Sequence, residues 1–190
     1  MSVARPFRGI ALITGAVFLF ACMDVTTKLL VAEYPAPVVV AVRYIVQCLL
    51  MVVLLMPRGG RQMLHTRRTA LVWVRAACLA ATSLVVALAF RRLPVAEATA
   101  IVYLSPLLVV MVGGLVLRES IGRVGVLAAI AGFVGVLLIA RPGSGLDPLG
   151  VALALAGALM IAGYQLLSRV LAATESTLAL LFYAALFGSI

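Results

Sequence analysis

Long apolar runs separated by short polar segments dominate this chain. We identify seven runs: 9–31, 38–56, 70–90, 95–117, 123–141, 148–172, and 176 to the end. A helix needs about 20 residues to cross roughly 30 Å of hydrocarbon, so these runs predict membrane-spanning helices. Breaks between them are marked by Pro35 and Pro37, by 118–123 and, most clearly, by the Pro-Gly-Ser-Gly stretch at 142–145.

Composition supports the same fold class. Hydrophobic residues make up 65% of the 190 residues and charged residues 11%, whereas soluble domains carry about 25% charged residues. A fold of 190 residues has too small a core to bury this many hydrophobic residues. We therefore expect most of the chain to face the lipid bilayer, and the fold to be an all-α polytopic membrane protein. The net charge of +9 does not indicate nucleic-acid binding, because most basic residues lie between the apolar runs.

The distribution of arginines predicts the orientation. Segments on the side of the N-terminus carry Arg5, Arg8, Arg58, Arg61, Arg67, Arg68, Arg118 and Arg123, and the opposite connections carry Arg91, Arg92 and Arg141. Positive residues accumulate on the cytoplasmic side of membrane proteins, so we expect a cytoplasmic N-terminus. Arg91 and Arg92 are local exceptions to this distribution.

The stretch ACMDVTTKLL, at 21–30, places charged residues inside the first span. At 1.5 Å per residue, Asp24 lies about 8 Å short of the outer membrane edge, and Arg43 of the second span lies about 9 Å deep. Ionisable groups at such depth pair with one another or face a cavity. Asp24 is therefore either part of an ion pair with Arg43 or Lys28, or a carboxylate that handles substrate or protons. Arg43 has the corresponding alternative of contacting a substrate anion.

Other polar residues in the runs also allow two interpretations. Tyr44, Tyr103 and Tyr164 could line a cavity or belong to an interfacial aromatic belt. Arg75, near the inner edge, is expected to snorkel or to cap backbone carbonyls. Glu97 suits the first turn of the fourth helix as a capping acid.

Metal, cofactor and enzyme motifs are missing from the sequence. The three cysteines form no CxxC pair, and His65 is the single histidine. Neither a Walker A motif nor HExxH or GxSxG occurs. We therefore expect no cofactor, no metal site and no catalytic residues.

A weak internal repeat is found when the chain is shifted by 141 residues. Segment 9–32 then aligns with 150–173, and Lys28 falls on Arg169, Asp24 on Gln165 and Thr27 on Ser168. Five spans separate the two starts, and an odd number inverts the second copy. The candidate substrate-binding or coupling residues are Asp24, Lys28, Arg43, Tyr103, Tyr164 and Gln165.

These features together resemble the drug/metabolite transporter superfamily, in particular proteins with the EamA domain. The resemblance is carried by Arg43 in PAPVVVAVRY, Arg75, the LPVAEA corner at 93–98, Pro106 in LSPLL, Glu119, and the glycines of GFVGVLL. It implies inverted five-helix repeats of a ten-helix transporter, which carries small metabolites across the inner membrane through a central cavity by alternating access.

By this resemblance, residues 1–142 are the first repeat and 143–190 are the start of a second, truncated repeat. The whole chain then has about seven spans. We expect a secondary transporter for a small metabolite or drug-like molecule; the alternative is a non-transporting membrane fragment or an assembly protein. A cavity built from both repeats also predicts that the 190 residues alone do not transport, unless a homodimer supplies the missing half.

Overall fold

The computed structural model describes residues 6–60, 64–116, 123–140 and 145–189, and these ranges are helical with no β-strand. The predicted all-α polytopic fold is thereby confirmed. The connection predicted at 118–123 and the domain boundary predicted at 142/143 lie largely outside the described residues. In chain order the helices are α1 (Pro6–Glu33), α2 (Ala36–Gly59), α3 (Thr69–Arg92), α4 (Val95–Val102), α5 (Ser105–Val116), α6 (Arg123–Ala140), α7 (Pro148–Ala172) and α8 (Thr177–Gly188).

Four of the described helices are long and apolar enough to cross a membrane. They comprise α1 from Gly9, α2 as far as Leu54, α3 and α7. Their bounds agree with the predicted runs to within a few residues, because proline and short polar segments interrupt the apolar pattern at the same places. α8 begins at Thr177, 141 residues after α2 begins at Ala36, which is the shift of the internal alignment.

The fourth span differs from its prediction. It was expected as one helix over 95–117, with Pro106 able to kink it, but the structure divides it into α4 and α5 at Tyr103 and Leu104. Proline has no backbone N–H, so Pro106 cannot donate to the carbonyl of Val102. The chain instead turns before the proline, where Leu104 N donates to Ile101 O at 3.0 Å.

Helix α3 lies at the centre of the bundle. It packs most extensively against α7 and α8, and also contacts α1, α2 and α4. Alanines such as Ala76, Ala87 and Ala89 are fully buried on it, and small side chains let neighbouring helices approach closely in a membrane. The largest buried cluster forms where α1, α2, α4 and α7 meet the C-terminal half of α3, around Phe90 and Leu93.

Polar contacts at the two ends of α3 show the directions in which α1 and α7 run relative to it. Lys28, near the end of α1, and Asp147, at the start of α7, both bond to the C-terminal end of α3. Glu175, after α7, bonds to the segment just before α3. α1 therefore runs parallel to α3 and α7 runs antiparallel to both, so α1 and α7 have opposite directions.

Candidate functional site

A polar patch at membrane depth lies between α1 and α2. Asp24 and Arg43 are both half-buried there, and their charges are close enough to interact electrostatically. Arg43 Nη1 lies 4.0 Å from Met23 Sδ, and its guanidinium stands 5.0 Å from the centroid of the Tyr44 ring. Within the described part of the chain, no ion pair shorter than 4.0 Å joins Asp24 to Arg43 or to Lys28. Asp24 and Arg43 thus interact without direct contact, and both interpretations of Asp24, as a partner of Arg43 or as a carboxylate that handles substrate or protons, stay predictions.

An apolar cavity of about 430 Å³, shallow and widely open because several of its lining side chains are about half exposed, lies beside this patch. Each of its lining residues is three or four positions from another on α2, so they lie on one face of that helix. The lining residues are Arg43, Val46, Gln47, Leu50, Met51 and Leu54. Ligand pockets have volumes of about 300–1,000 Å³ and combine apolar walls with a few polar groups. The arrangement suits a small amphiphilic molecule whose polar end meets Arg43 and Gln47.

Lys28 is directed away from this patch. Its ammonium donates to the carbonyls of Phe90 and Leu93, the latter at 2.9 Å. Helix C-termini leave their last carbonyls without intrahelical partners and carry a partial negative charge, so a lysine satisfies both requirements. Lys28 therefore closes the C-terminal end of α3, and its predicted pairing with Asp24 is absent.

Tyr164 belongs to a second polar region, centred on Arg75, and the neighbouring Gln165 is half-buried on α7. Arg75 is only 5% exposed and donates to Ser168 Oγ at 2.8 Å, Tyr164 Oη at 2.8 Å and Leu180 O at 2.9 Å. Its guanidinium also lies 4.4 Å from the centroid of the Tyr164 ring. The bond to Leu180 O agrees with the expected carbonyl contact of Arg75, whereas the burial of Arg75 excludes snorkelling to the membrane surface.

The remaining tyrosines have different surroundings. Tyr44 is buried, and its hydroxyl hydrogen-bonds Ser83 Oγ at 2.8 Å and Leu79 O at 3.3 Å. Tyr103 is 62% exposed at the break in the fourth span. The six candidate residues thus do not form one site. Asp24 and Arg43 come together, and Tyr164 lies with Arg75. Lys28, Tyr103 and Gln165 have no described contact with either group.

Two polar residues with specific surroundings, Glu175 and Gln47, were not predicted from the sequence. Glu175 is 8% exposed, and its carboxylate accepts from the backbone N–H groups of Arg67 and Arg68 at 2.7–3.1 Å. Gln47 lies one turn after Arg43 on the cavity face, and that spacing was the available signal. An isolated acid in a loop gave no comparable signal for Glu175.

Glu97 lies in the first turn of α4, as predicted, but caps nothing by hydrogen bonding. The N-cap of α4 has no side-chain hydrogen bond, and Glu97 Oε2 is buried without a partner among the described residues. The described residues also contain no group of three or more His, Cys, Asp or Glu that could hold a metal ion.

Comparison with known proteins places these features in a family. No curated protein and no solved structure matches the chain. A family model does match, over residues 7–141, which is well over half of the chain. This stretch contains α1 to α6, including the Asp24–Arg43 patch, the α2 cavity and the interrupted fourth span. The matching model describes the EamA-like transporter family, a membrane-transporter domain of the drug/metabolite transporter superfamily, and the chain belongs to that family.

Proposed function

We propose that the chain acts as a secondary transporter of the inner membrane, moving a small metabolite or drug-like molecule through a central cavity by alternating access. The observation that carries this proposal is the α2 cavity, where Arg43 and Gln47 are the polar groups in an otherwise apolar lining beside Asp24. Polar residues at membrane depth are costly and mark substrate or ion pathways. The fold leaves this face of α2 open, which suits one half of a shared cavity.

Within this proposal, Arg43 and Gln47 bind the polar end of the substrate and Leu50, Met51 and Leu54 its apolar part. A test begins with binding of a panel of radiolabelled small molecules to the purified chain. Arg43→Gln and Gln47→Leu should each weaken binding at least severalfold, whereas Arg169→Gln, an exposed arginine on α7, should leave it unchanged. Equal binding by all four proteins would reject the α2 cavity as the site.

We further propose that transport requires two copies of the chain. Flux of a bound compound is measured in liposomes over a range of protein densities. Flux that rises with the square of density at low occupancy supports a homodimer, and flux that rises linearly supports a single chain. Specific binding without flux at any density would favour the alternative, a non-transporting membrane protein.

Asp24 has a separate role in this proposal, as the carboxylate that handles substrate or protons. Without a contact ion pair to preserve, Asp24→Asn should leave an inserted protein with near-normal detergent stability and strongly reduced binding or flux. Exchanging the charges, with Asp24→Arg and Arg43→Asp together, should not restore function. Restoration by the exchange would instead show that the two charges act only as a pair.

A further inference from the structure

A second cavity lies between α3 and α7 at the end of their contact that is farther from Arg75. Its volume is about 480 Å³, and it is lined by Leu88, Arg91 and Arg92 from the end of α3 and by Leu149 and Leu153 from the start of α7. This cavity shares no residue with the α2 cavity. Its lining combines two cationic groups with three leucines, which is unusual for a surface that only faces lipid tails.

The two arginines differ in their partners. Arg92 Nη1 forms an ion pair with Asp147 Oδ2 at 2.8 Å, which offsets one positive charge. Arg91 is exposed, and its side chain makes no hydrogen bond or ion pair with the described residues. One positive charge at the mouth of the cavity is therefore left without a counter-charge from its lining.

The vertical order of the lining matches the cross-section of a lipid leaflet. The 24 residues of α3 span about 36 Å, compared with roughly 30 Å of hydrocarbon, so Arg91 and Arg92 lie at headgroup level. Leu88 is one turn deeper on α3. On α7, Gly150 lies against Arg92 and Leu93, so its neighbour Leu149 is at the level of the arginines and Leu153 is one turn deeper. The two arginines and Leu149 thus lie at headgroup level, while Leu88 and Leu153 meet the first part of the acyl chains.

From this geometry we infer that the cavity is a binding site for an anionic phospholipid. The phosphate bonds the Arg91 guanidinium, and one acyl chain lies over Leu88 and Leu153 in the groove between α3 and α7. The charge of Arg91 is complementary to an acidic headgroup, and the predicted orientation places this site in the leaflet opposite the cytoplasm. The site also accounts for Arg91 and Arg92 as exceptions to the arginine distribution, since one is neutralised by Asp147 and the other by a lipid. It does not depend on whether the chain transports a substrate.

Native mass spectrometry of the full chain in detergent tests this site, with dioleoylphosphatidylglycerol and dioleoylphosphatidylcholine as probes. We expect the wild-type chain to retain the anionic lipid preferentially. Because a basic residue at an anionic surface contributes about 1 kcal/mol, Arg91→Gln should weaken that binding about fivefold. Leu153→Gln should also weaken it by removing acyl-chain contact, and Arg169→Gln is the matched control because Arg169 is exposed at the other end of α7.

Several outcomes would overturn the inference. Equal retention of the two lipids would remove the requirement for an anionic headgroup, and equal loss in Arg91→Gln and Arg169→Gln would show nonspecific attraction to net charge. Inorganic phosphate in excess serves as a competitor. If the phosphate concentration that displaces the phospholipid is the same for wild type and Leu153→Gln, the cavity binds a free anion and its leucines have no part. Unchanged circular dichroism and elution volume for Arg91→Gln are expected, because its side chain supports no contact within the described chain.

Discussion

Arg75 is a single buried side chain that connects three helices of the bundle by hydrogen bonds. It stands on α3 but bonds two side chains of α7 and a carbonyl of α8. A buried cation is costly unless its donors are satisfied, and here neutral oxygens and an aromatic face satisfy it in place of a carboxylate. The residue therefore acts as a three-helix clamp.

This clamp predicts a graded loss of stability. Arg75→Gln removes most of the network and should lower the free energy of unfolding by about 3 kcal/mol. Tyr164→Phe keeps the ring but leaves one guanidinium donor unsatisfied, so a loss of about 1.5 kcal/mol is expected. Tyr183→Phe is the control, because its hydroxyl makes only an exposed bond to Leu64 O at 3.2 Å. Thermal unfolding in detergent gives the order, and an effect of Tyr183→Phe as large as that of Tyr164→Phe would contradict it.

Asp147 makes a pH-dependent contribution at the other end of α3. The hydrogen bond from Arg92 is the main cause that holds the pKa of Asp147 below its ordinary value, against a smaller opposing effect of desolvation. A depressed folded-state pKa stabilises the fold above the unfolded-state value of about 3.9, and this contribution is lost as the pH falls through the folded-state value.

Asp147→Asn isolates this effect, because asparagine can still accept the N-cap hydrogen bond that Leu149 N donates to Asp147. The variant should have a lower Tm than the wild type at pH 7, and the difference should shrink as the pH falls below about 4. Glu33→Gln, an exposed acid at the end of α1, should show a smaller difference at pH 7. A gap between Asp147→Asn and wild type that stays constant down to pH 3 would disprove the ion-pair explanation.

Among the elements, α3 is distinctive because charged residues from elsewhere in the chain close both of its ends. Lys28 binds carbonyls at its C-terminal end, and Glu175 accepts N–H groups immediately before its N-terminal end. Both charges have the sign that the helix dipole favours. The central helix thus has no need of capping side chains of its own, and its N-cap, Arg68, makes no side-chain cap bond.

Removing Lys28 tests the closed C-terminal end. Lys28→Met should destabilise the protein by about 1 to 3 kcal/mol, since two carbonyls lose a charged donor. Arg169→Met is the matched control, because Arg169 occupies the corresponding position of α7 in the internal alignment and is exposed. Similar Tm values for the two variants would refute a capping role for Lys28.

The contact between α3 and α7 predicts a difference between two glycines on α7. A Cβ at Gly157 would lie 2.9 Å from Val86 Cγ2, whereas a Cβ at Gly163 would meet nothing within 4 Å. Overpacking costs about 1–3 kcal/mol, and alanine in a helix interior is otherwise better than glycine by roughly 1 kcal/mol. Gly163→Ala should therefore be the more stable variant in thermal unfolding. The reverse order would mean that α7 does not pack on α3 at Gly157.

Sequence patterns predicted the elements well and their partners poorly. Span limits follow from local hydropathy and from proline, so most helices were found within a few residues. The break at Tyr103 was missed because Pro106 indicates a weak point without indicating whether the chain bends or turns there. The partners of Lys28, Arg75 and Glu175 lie more than 60 residues away along the chain, a distance over which helical periodicity carries no information.

At the scale of the whole molecule, the arginine distribution predicts a cytoplasmic N-terminus. Single cysteines at His65 and Glu33, in a chain whose three native cysteines are replaced by alanine, report the two sides of the membrane. Both positions are exposed and lie outside the helix interiors. In intact cells a membrane-impermeant maleimide should label Glu33→Cys and spare His65→Cys until the cells are opened. Labelling of His65→Cys alone in intact cells would reverse the orientation.

The bond between Glu175 and the start of α3 also has a consequence for biosynthesis. Glu175 follows Arg67 by 108 residues, and ribosomes add about 5–20 residues per second. The N–H groups ahead of α3 therefore wait roughly 5 to 20 s after their own synthesis before the carboxylate that binds them is made. During this interval α3 has α1, α2 and α4 as partners but neither α7 nor α8, so water or lipid headgroups bond the N–H groups at its start until Glu175 replaces them.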